Sequence, residues 1–177
     1  MKKCTIDPDH SVAAFAIRHM GIASVRGMFH KMSGCIYFDA DDVAKSSVDA
    51  EIDVASLSTG IKKRDQHILS DEMLDAAKYP TIIFKSTRVV PRGKGKASVH
   101  GDLTIHGVTK EVVLEAEHFG PVKSPWGGEV TVGFTAATRL NRQEFGVNWG
   151  DDVLENGGLV AGRDVEITLD VEADLEK

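Results

Sequence analysis

The stretch Val48-Asp49-Ala50-Glu51-Ile52-Asp53-Val54 alternates apolar and acidic residues without interruption. Successive side chains of a β-strand point to opposite faces, so the pattern predicts a strand with one face buried and the other in water. Half-buried strands of this kind are typical of antiparallel sheets.

The same alternation recurs along the chain, most clearly in residues 112–116, 130–136 and 165–171. Short turn sequences separate the extended segments, which favours neighbouring antiparallel strands. The complete set of eight predicted strands covers residues 12–19, 24–38, 48–54, 81–90, 97–106, 112–116, 130–136 and 165–171. We therefore predict an all-β fold, an antiparallel eight-stranded barrel, as a single domain over residues 1–177.

Glycines inside the predicted strands favour a closed barrel over a flat sandwich. Gly27, Gly34, Gly101 and Gly133 all fall within extended segments. Strongly coiled sheets use such glycines where the backbone bends sharply.

One helical region interrupts the strands. It is predicted over residues 61–69 and again over residues 71–77, with Ser58 and Thr59 as possible caps and Pro80 as its stop. We expect it to form a short helical cap between strands 3 and 4.

The predicted interior is lined by small side chains. Only 6% of the residues are aromatic. A barrel of eight strands is either filled by its own side chains or shaped around one small ligand, and both alternatives stay open on pattern alone. The small residues assigned to inward rows are Ala13, Ala14, Ala16, Ala50, Ala116, Ala136 and Ala137.

Composition excludes several classes of partner. The net charge of −6 argues against nucleic acid, because phosphate binding needs clustered Lys and Arg. The sequence contains no run of eighteen apolar residues, so we expect no stable membrane insertion.

The N-terminus shows no export signal, which predicts a cytoplasmic protein, or a periplasmic one if a leader was removed. Cys4 and Cys35 are expected to be reduced, with Cys35 as a small core hydrophobe.

Six sequence blocks occur in a characteristic order. They read DPDHS at 7–11 continuing to FAIRH at 15–19 as the first block, then GMF at 27–29, RDQHIL at 64–69, YPTIIF at 79–84, GDLTIHGVT at 101–109, and NRQEFGV at 141–147. In this order and spacing the chain resembles the YceI-like family of bacterial lipid-binding proteins. The resemblance implies a lipocalin-like barrel that binds, stores or transports a polyisoprenoid or another long-chain lipid. It also makes a homodimer an expectation.

Candidate ligand contacts follow from strand parity and from the predicted cap. The candidates for lining the ligand tail are Phe15, Ile17, Phe29, Ile52, Phe84, Leu103, Leu114, Phe134, Phe145 and Trp149. Candidates for the head group are Arg64, Asp65 and His67 at the start of the cap, Arg18 and His19 at a rim, and Arg142 in a turn. An anionic head such as a pyrophosphate would suit the cap residues, which could equally be a capping and salt-bridge cluster.

Catalytic and metal motifs are missing from the sequence. The seven histidines show no metal-ligand spacing, and no nucleophile motif is present, so we expect no metal, no cofactor and no enzyme. One alternative is an enzyme acting on a small amphiphile, with His67, Asp65 or His19 as acid or base. Another is a dry-core structural or interaction module, dimeric through an exposed strand or the Trp126 loop.

Overall fold

The computed structural model describes residues 1–125 and 127–176, so Trp126 and its predicted dimer contact lie outside the described residues. Within these ranges the chain forms one α-helix, α1 (Lys62–Leu69), and eleven strand segments in one antiparallel sheet. The strands are β1 (Lys2–Ile6), β2 (Val12–His19), β3 (Ala23–Phe29), β4 (Met32–Phe38), β5 (Ser47–Asp53), β6 (Leu57–Ser58), β7 (Thr81–Gly93), β8 (Lys96–Ile105), β9 (Val108–Lys123), β10 (Val130–Asn141) and β11 (Ala161–Leu175).

The eleven segments make eight barrel strands, because three of the eight are interrupted. β1 and β2 both pair with β11, and their partners β4 and β3 are likewise two parts of one strand. β5 and β6 continue that arrangement, since β5 pairs with β4 and β6 with β3. The sheet closes where β1 pairs with both β4 and β11. The predicted eight-stranded antiparallel barrel is confirmed.

Tight turns join several consecutive strands, with backbone conformations that glycine favours. His106 and Gly107, between β8 and β9, both have positive φ angles, 52° and 74°. Two-residue hairpin loops of this kind match the twist of the flanking strands. The predicted turn at 91–95 is shorter than expected, because β7 runs to Gly93 and β8 begins at Lys96. β9 is longer than predicted, since pairing with β10 extends it to Lys123.

The helical cap lies between the third and fourth barrel strands as predicted, but it is shorter. Only Lys62–Leu69 is α-helical, and the predicted helix at 71–77 is a series of turns. Asp75 has φ of +46°, a left-handed conformation that ends a helix. Ser58 and Thr59 do not cap α1, because the residue at its N-cap is Ile61. Among the described residues, no helix is both long and apolar enough to cross a bilayer.

Strand parity separates the inner and outer faces of the wall. Ala136 lines the interior, whereas Ala137 is exposed, so the prediction that both face inward is wrong. Ala16 is also on the outer face, because it alternates with Phe15 and Ile17.

The two cysteines lie on opposite faces of the wall. Cys4 is 0% exposed and Cys35 is half-buried; both are free thiols. Thr5 is the register partner of Cys35, and Ile36 is that of Cys4. The small core hydrophobe is therefore Cys4, and the assignment of that role to Cys35 is wrong.

Candidate ligand-binding tunnel

Three apolar chambers follow one another inside the barrel, in the part of the chain that the structure describes. Their volumes are about 100, 130 and 160 Å³. We name them the His118 chamber, which Phe38 and Val43 also line, the middle chamber, lined by Ile52 and Phe84, and the cap chamber, lined by Ile68 of α1. Interior space of this kind argues against the dry-core alternative.

Neighbouring chambers share wall residues, so we treat them as one tunnel. The His118 and cap chambers share none, which puts the middle chamber between them. On β11, Val171 and Leu169 line the His118 end, and Ile167 and Val165 line the cap end. These six residue steps correspond to about 20 Å along the strand. The tunnel is therefore suited to an elongated molecule.

Inward-facing rows of the strands make the tunnel wall almost entirely apolar. The polar residues among those that line the chambers are Thr138 in the middle chamber, Arg142 in the cap chamber, and Ser46, Glu117, His118 and Thr135 in the His118 chamber. Apolar cavities stay dry and bind apolar guests, because water in them lacks hydrogen-bond partners. The wall therefore offers a ligand tail apolar contacts along the tunnel.

Nine of the ten residues proposed to line a ligand tail do line the tunnel. Phe15, Ile17, Phe29, Ile52, Phe84, Leu103, Leu114, Phe134 and Phe145 contact one or more of the chambers. Trp149 does not. It is 38% exposed and packs edge-on against His67, with ring centroids 4.7 Å apart. Strand parity does not apply to Trp149, because it lies in the loop after β10.

Arg64 and Asp65 form a cluster around Thr59. The backbone N–H and the hydroxyl of Thr59 donate to Asp65 Oδ1 over 2.8 and 2.5 Å. Arg64 donates to the Thr59 hydroxyl and carbonyl oxygens over 2.8 and 2.9 Å. These contacts fasten α1 to the end of β6. They match the alternative, a cluster that ties the cap to the barrel, more closely than an anion-binding site, although no side chain caps α1.

Three more candidate head-group residues lie at or near the rim of the barrel: His67, His19 and Arg18. His67 Nε2, on α1, is 2.8 Å from Oε2 of Glu72, which lies in the turns that follow α1. His19 Nδ1 is 2.9 Å from the carbonyl oxygen of Val160. Arg18 is exposed on the outer face of β2. None of these side chains is among the residues that line the three chambers.

Arg142 lines the cap chamber, yet its polar atoms bind the protein itself. It is 6% exposed, and it donates to the carbonyl oxygens of Gly162, Val147 and Ala161 over 2.7, 2.6 and 2.9 Å. Its Nη2 also lies 3.1 Å from Asp151 Oδ1. Burial lowers the pKa of the Arg142 guanidinium from its ordinary value, and Asp151 opposes that shift. This arrangement holds a loop in place and leaves little capacity for a head group.

Sequence analysis missed one residue with a clear position in the tunnel, His118. It faces inward from β9, where Leu114 and Ala116 share its parity. The alternation at 112–116 predicted that face, but the predicted strand ended before it reached His118. Among the described residues, no group of three or more His, Cys, Asp or Glu side chains could hold a metal ion.

A family model, that of the YceI-like domain, matches residues 4–173. The chain belongs to the YceI-like family. Relatives in this family include UPF0312 proteins of Vibrio cholerae, 42% identical over 78% of this chain and 72% of theirs, and of Pseudomonas savastanoi, 42% identical over 78% and 71%. The resemblance inferred from the ordered sequence blocks is thereby confirmed.

Solved structures share the YceI-like barrel. BcnA of Burkholderia cenocepacia superposes with a TM-score of 0.82 at 25% identity, over 94% of this chain and 98% of its own. The YceI protein of Campylobacter jejuni gives 0.75 at 29% identity, over 90% of each chain. A polyisoprenoid binding domain from Saccharophagus degradans gives 0.74 at 16% identity, over 99% and 100%, a likeness of fold alone. All three structures therefore share the barrel fold of this chain.

Proposed function

We propose that this protein binds a long-chain apolar or amphiphilic molecule, a polyisoprenoid or a fatty-acid-like lipid, inside the barrel and stores or transports it. The observation that carries the proposal is the tunnel formed by the three chambers. Its wall is apolar over the length of the middle chamber, with Thr138 as the exception. The polyisoprenoid binding domain from Saccharophagus degradans, which has the same fold, supports this ligand class.

Transfer of the tail out of water supplies the driving force. Each CH2 group that leaves water contributes about 0.8 kcal/mol. A tail of ten buried carbons would thus contribute roughly 8 kcal/mol, enough to offset much of the cost of immobilising the ligand. Affinity therefore depends mainly on how much of the tail the tunnel encloses.

The contacts of the candidate acid–base residues favour binding without catalysis. Asp65 accepts two hydrogen bonds from Thr59, His67 contacts Glu72, and His19 contacts a backbone carbonyl. A general acid or base must instead reach the reacting group of a bound substrate. The predicted homodimer and cytoplasmic location stay predictions.

Native mass spectrometry of the purified protein tests the proposal. We expect a mass excess over the polypeptide that disappears after organic extraction, and an apolar molecule in the extract. The extracted protein should then take up one equivalent of an added long-chain lipid. A protein that carries no extractable molecule and binds none of a series of C12 to C20 lipids would contradict the proposal.

A further inference from the structure

One end of the tunnel presents an imidazole to the interior. His118 is half-buried and lines the His118 chamber. Its ring packs against Phe38, with centroids 4.8 Å apart and planes tilted by 58°. Phe38 in turn packs edge-on against Phe134, the register partner of His118 on β10. Phe38, which itself packs against Phe134, therefore holds the imidazole at the chamber wall.

The ring nitrogens of His118 are available to a ligand. The backbone N–H of His118 donates to the carbonyl oxygen of Gly95 over 3.0 Å. Within residues 1–125 and 127–176, neither ring nitrogen of His118 has a hydrogen-bond partner. In this part of the chain, every fully buried side-chain nitrogen or oxygen has a hydrogen-bond partner. Because the ring nitrogens of His118 have none, they are not fully buried. One imidazole can donate one hydrogen bond and accept another.

Two other polar side chains of the His118 chamber already have partners. Ser46 Oγ accepts a hydrogen bond from the backbone N–H of Asp39 over 3.0 Å. The carboxylate of Glu117 lies 3.8 Å from Lys96 Nζ. Thr135, the remaining polar residue of this wall, has outward parity because it alternates with Phe134 and Ala136. Among the described residues of this wall, His118 is therefore the polar side chain with inward parity and no hydrogen-bond partner.

The opposite end of the tunnel offers no equivalent group. Arg142 is the polar residue of the cap chamber, and its donors are engaged by three backbone carbonyls and Asp151. A ligand with one polar end and one apolar end consequently finds different surroundings at the two ends of the tunnel.

We propose that the tunnel is directional: the His118 end binds the polar head of the ligand, and the tail extends through the middle chamber towards α1. The inference rests on the proposed function and adds the class of head group, an uncharged hydroxyl or carbonyl that forms one hydrogen bond with the imidazole. A phosphate or pyrophosphate head does not fit, because no Lys or Arg is among the described residues that line the His118 chamber. Phosphate recognition relies on such cations.

Three probes with the same tail separate the head-group classes: hexadecane, 1-hexadecanol and hexadecyl phosphate. Affinities for the extracted protein are compared by displacement of a fluorescent apolar probe. We expect 1-hexadecanol to bind about fivefold more tightly than hexadecane, the ratio that one net hydrogen bond of about 1 kcal/mol gives. Hexadecyl phosphate should bind no more tightly than the alcohol.

The variant His118→Phe keeps an aromatic ring beside Phe38 and removes both nitrogens. We expect its affinities for 1-hexadecanol and hexadecane to become about equal, so that the preference for the alcohol, measured as a ratio within each variant, is lost. Thr138→Val, which removes the hydroxyl in the middle chamber, is the matched control and should keep that preference. A preference retained in His118→Phe, or tightest binding of hexadecyl phosphate by the wild type, would overturn the inference alone. Failure of the wild type to bind hexadecane would overturn the proposed function, and this inference with it.

Discussion

The guanidinium of Arg142 and the carboxylate of Asp151 form an ion pair beside the cap chamber, with Nη2 3.1 Å from Oδ1. The three carbonyl oxygens that Arg142 also binds belong to Val147, Ala161 and Gly162. One side chain thus joins the turn after β10 to both the following loop and the start of β11. We infer that it holds the cap end of the barrel together.

Replacement of Arg142 by leucine is expected to destabilise the protein by about 3 kcal/mol. Each buried carbonyl oxygen that loses its donor costs roughly 1–3 kcal/mol, and new hydrogen bonds to water offset part of that cost. Urea denaturation followed by circular dichroism measures the change. Arg139→Leu is the matched control, since Arg139 pairs with Asp164 on the exposed outer face, with 67% and 52% of the two side chains accessible. Such a surface pair contributes under about 1 kcal/mol. Equal losses in the two variants would contradict the assigned role of Arg142.

Gly101 and Gly133 lie in strands, but their surroundings differ. A Cβ atom at Gly101 would come within 2.5 Å of Phe84 Cζ and 2.6 Å of the Lys85 carbonyl oxygen, whereas at Gly133 the nearest atom is 3.7 Å away. Gly101→Ala is therefore expected to lose about 1–3 kcal/mol of stability through overpacking. Gly133→Ala should be neutral or slightly stabilising. Thermal unfolding compares the two, and a stable Gly101→Ala variant would show that the wall adjusts there.

The two thiols should react very differently. Burial raises the pKa of the Cys4 thiol above its ordinary value, which lowers its reactive thiolate fraction. Under native conditions at pH 8 we expect a maleimide to label Cys35 and to leave Cys4 unlabelled until denaturant is added. Peptide mass spectrometry identifies the labelled residue, with Cys35→Ser as the control. Labelling of native Cys35→Ser at Cys4 would refute the assigned positions.

Asp7 and His10 give the stability a defined pH dependence. His10 Nδ1 lies 2.7 Å from Asp7 Oδ2, and this hydrogen bond lowers the pKa of Asp7 and raises the pKa of His10. The Asp7 contribution is present above its unfolded pKa and is lost as pH falls through the lowered value. The His10 contribution is present below its unfolded pKa and is lost as pH rises through the raised value.

The difference in melting temperature between wild type and His10→Gln should therefore be largest between about pH 4 and about pH 6.5, and should shrink on either side. Melting temperatures across pH 3 to 9 measure it. His30→Gln is the control, because no carboxylate among the described residues pairs with the His30 side chain. A difference that does not vary with pH would exclude the Asp7–His10 contact as its source.

Alternation in the sequence was enough to predict the barrel and most of the tunnel wall. Residues such as Ile52 and Phe134 face inward because strand parity leaves no other choice once one face is buried. The three interrupted strands and the short β1 were less visible, since their pairing depends on backbone hydrogen bonds with distant segments. The position of Trp149 could not be predicted in this way, because a loop residue has no strand parity.

Residues with polar side chains were harder to assign than residues of the wall. Arg64, Asp65 and Arg142 were recognised as candidates from their types, yet their contacts are with Thr59 and with backbone carbonyls. Such contacts depend on tertiary structure and leave no periodic signal. His118 was missed because the predicted strand ended at residue 116, and pairing with the neighbouring strands β8 and β10 shows that β9 continues past it.

We infer that a ligand tail occupies the tunnel, and a matched pair of substitutions on β10 tests this occupancy most directly. Ala136 lines the His118 chamber, and its neighbour Ala137 is exposed on the outer face. Measured by displacement of a fluorescent apolar probe, Ala136→Phe should weaken binding of a C16 lipid at least tenfold, because the added ring takes up chamber volume. Ala137→Phe should bind as the wild type does. Equal affinities in both variants would mean that the lipid binds outside the tunnel, and the account would be wrong.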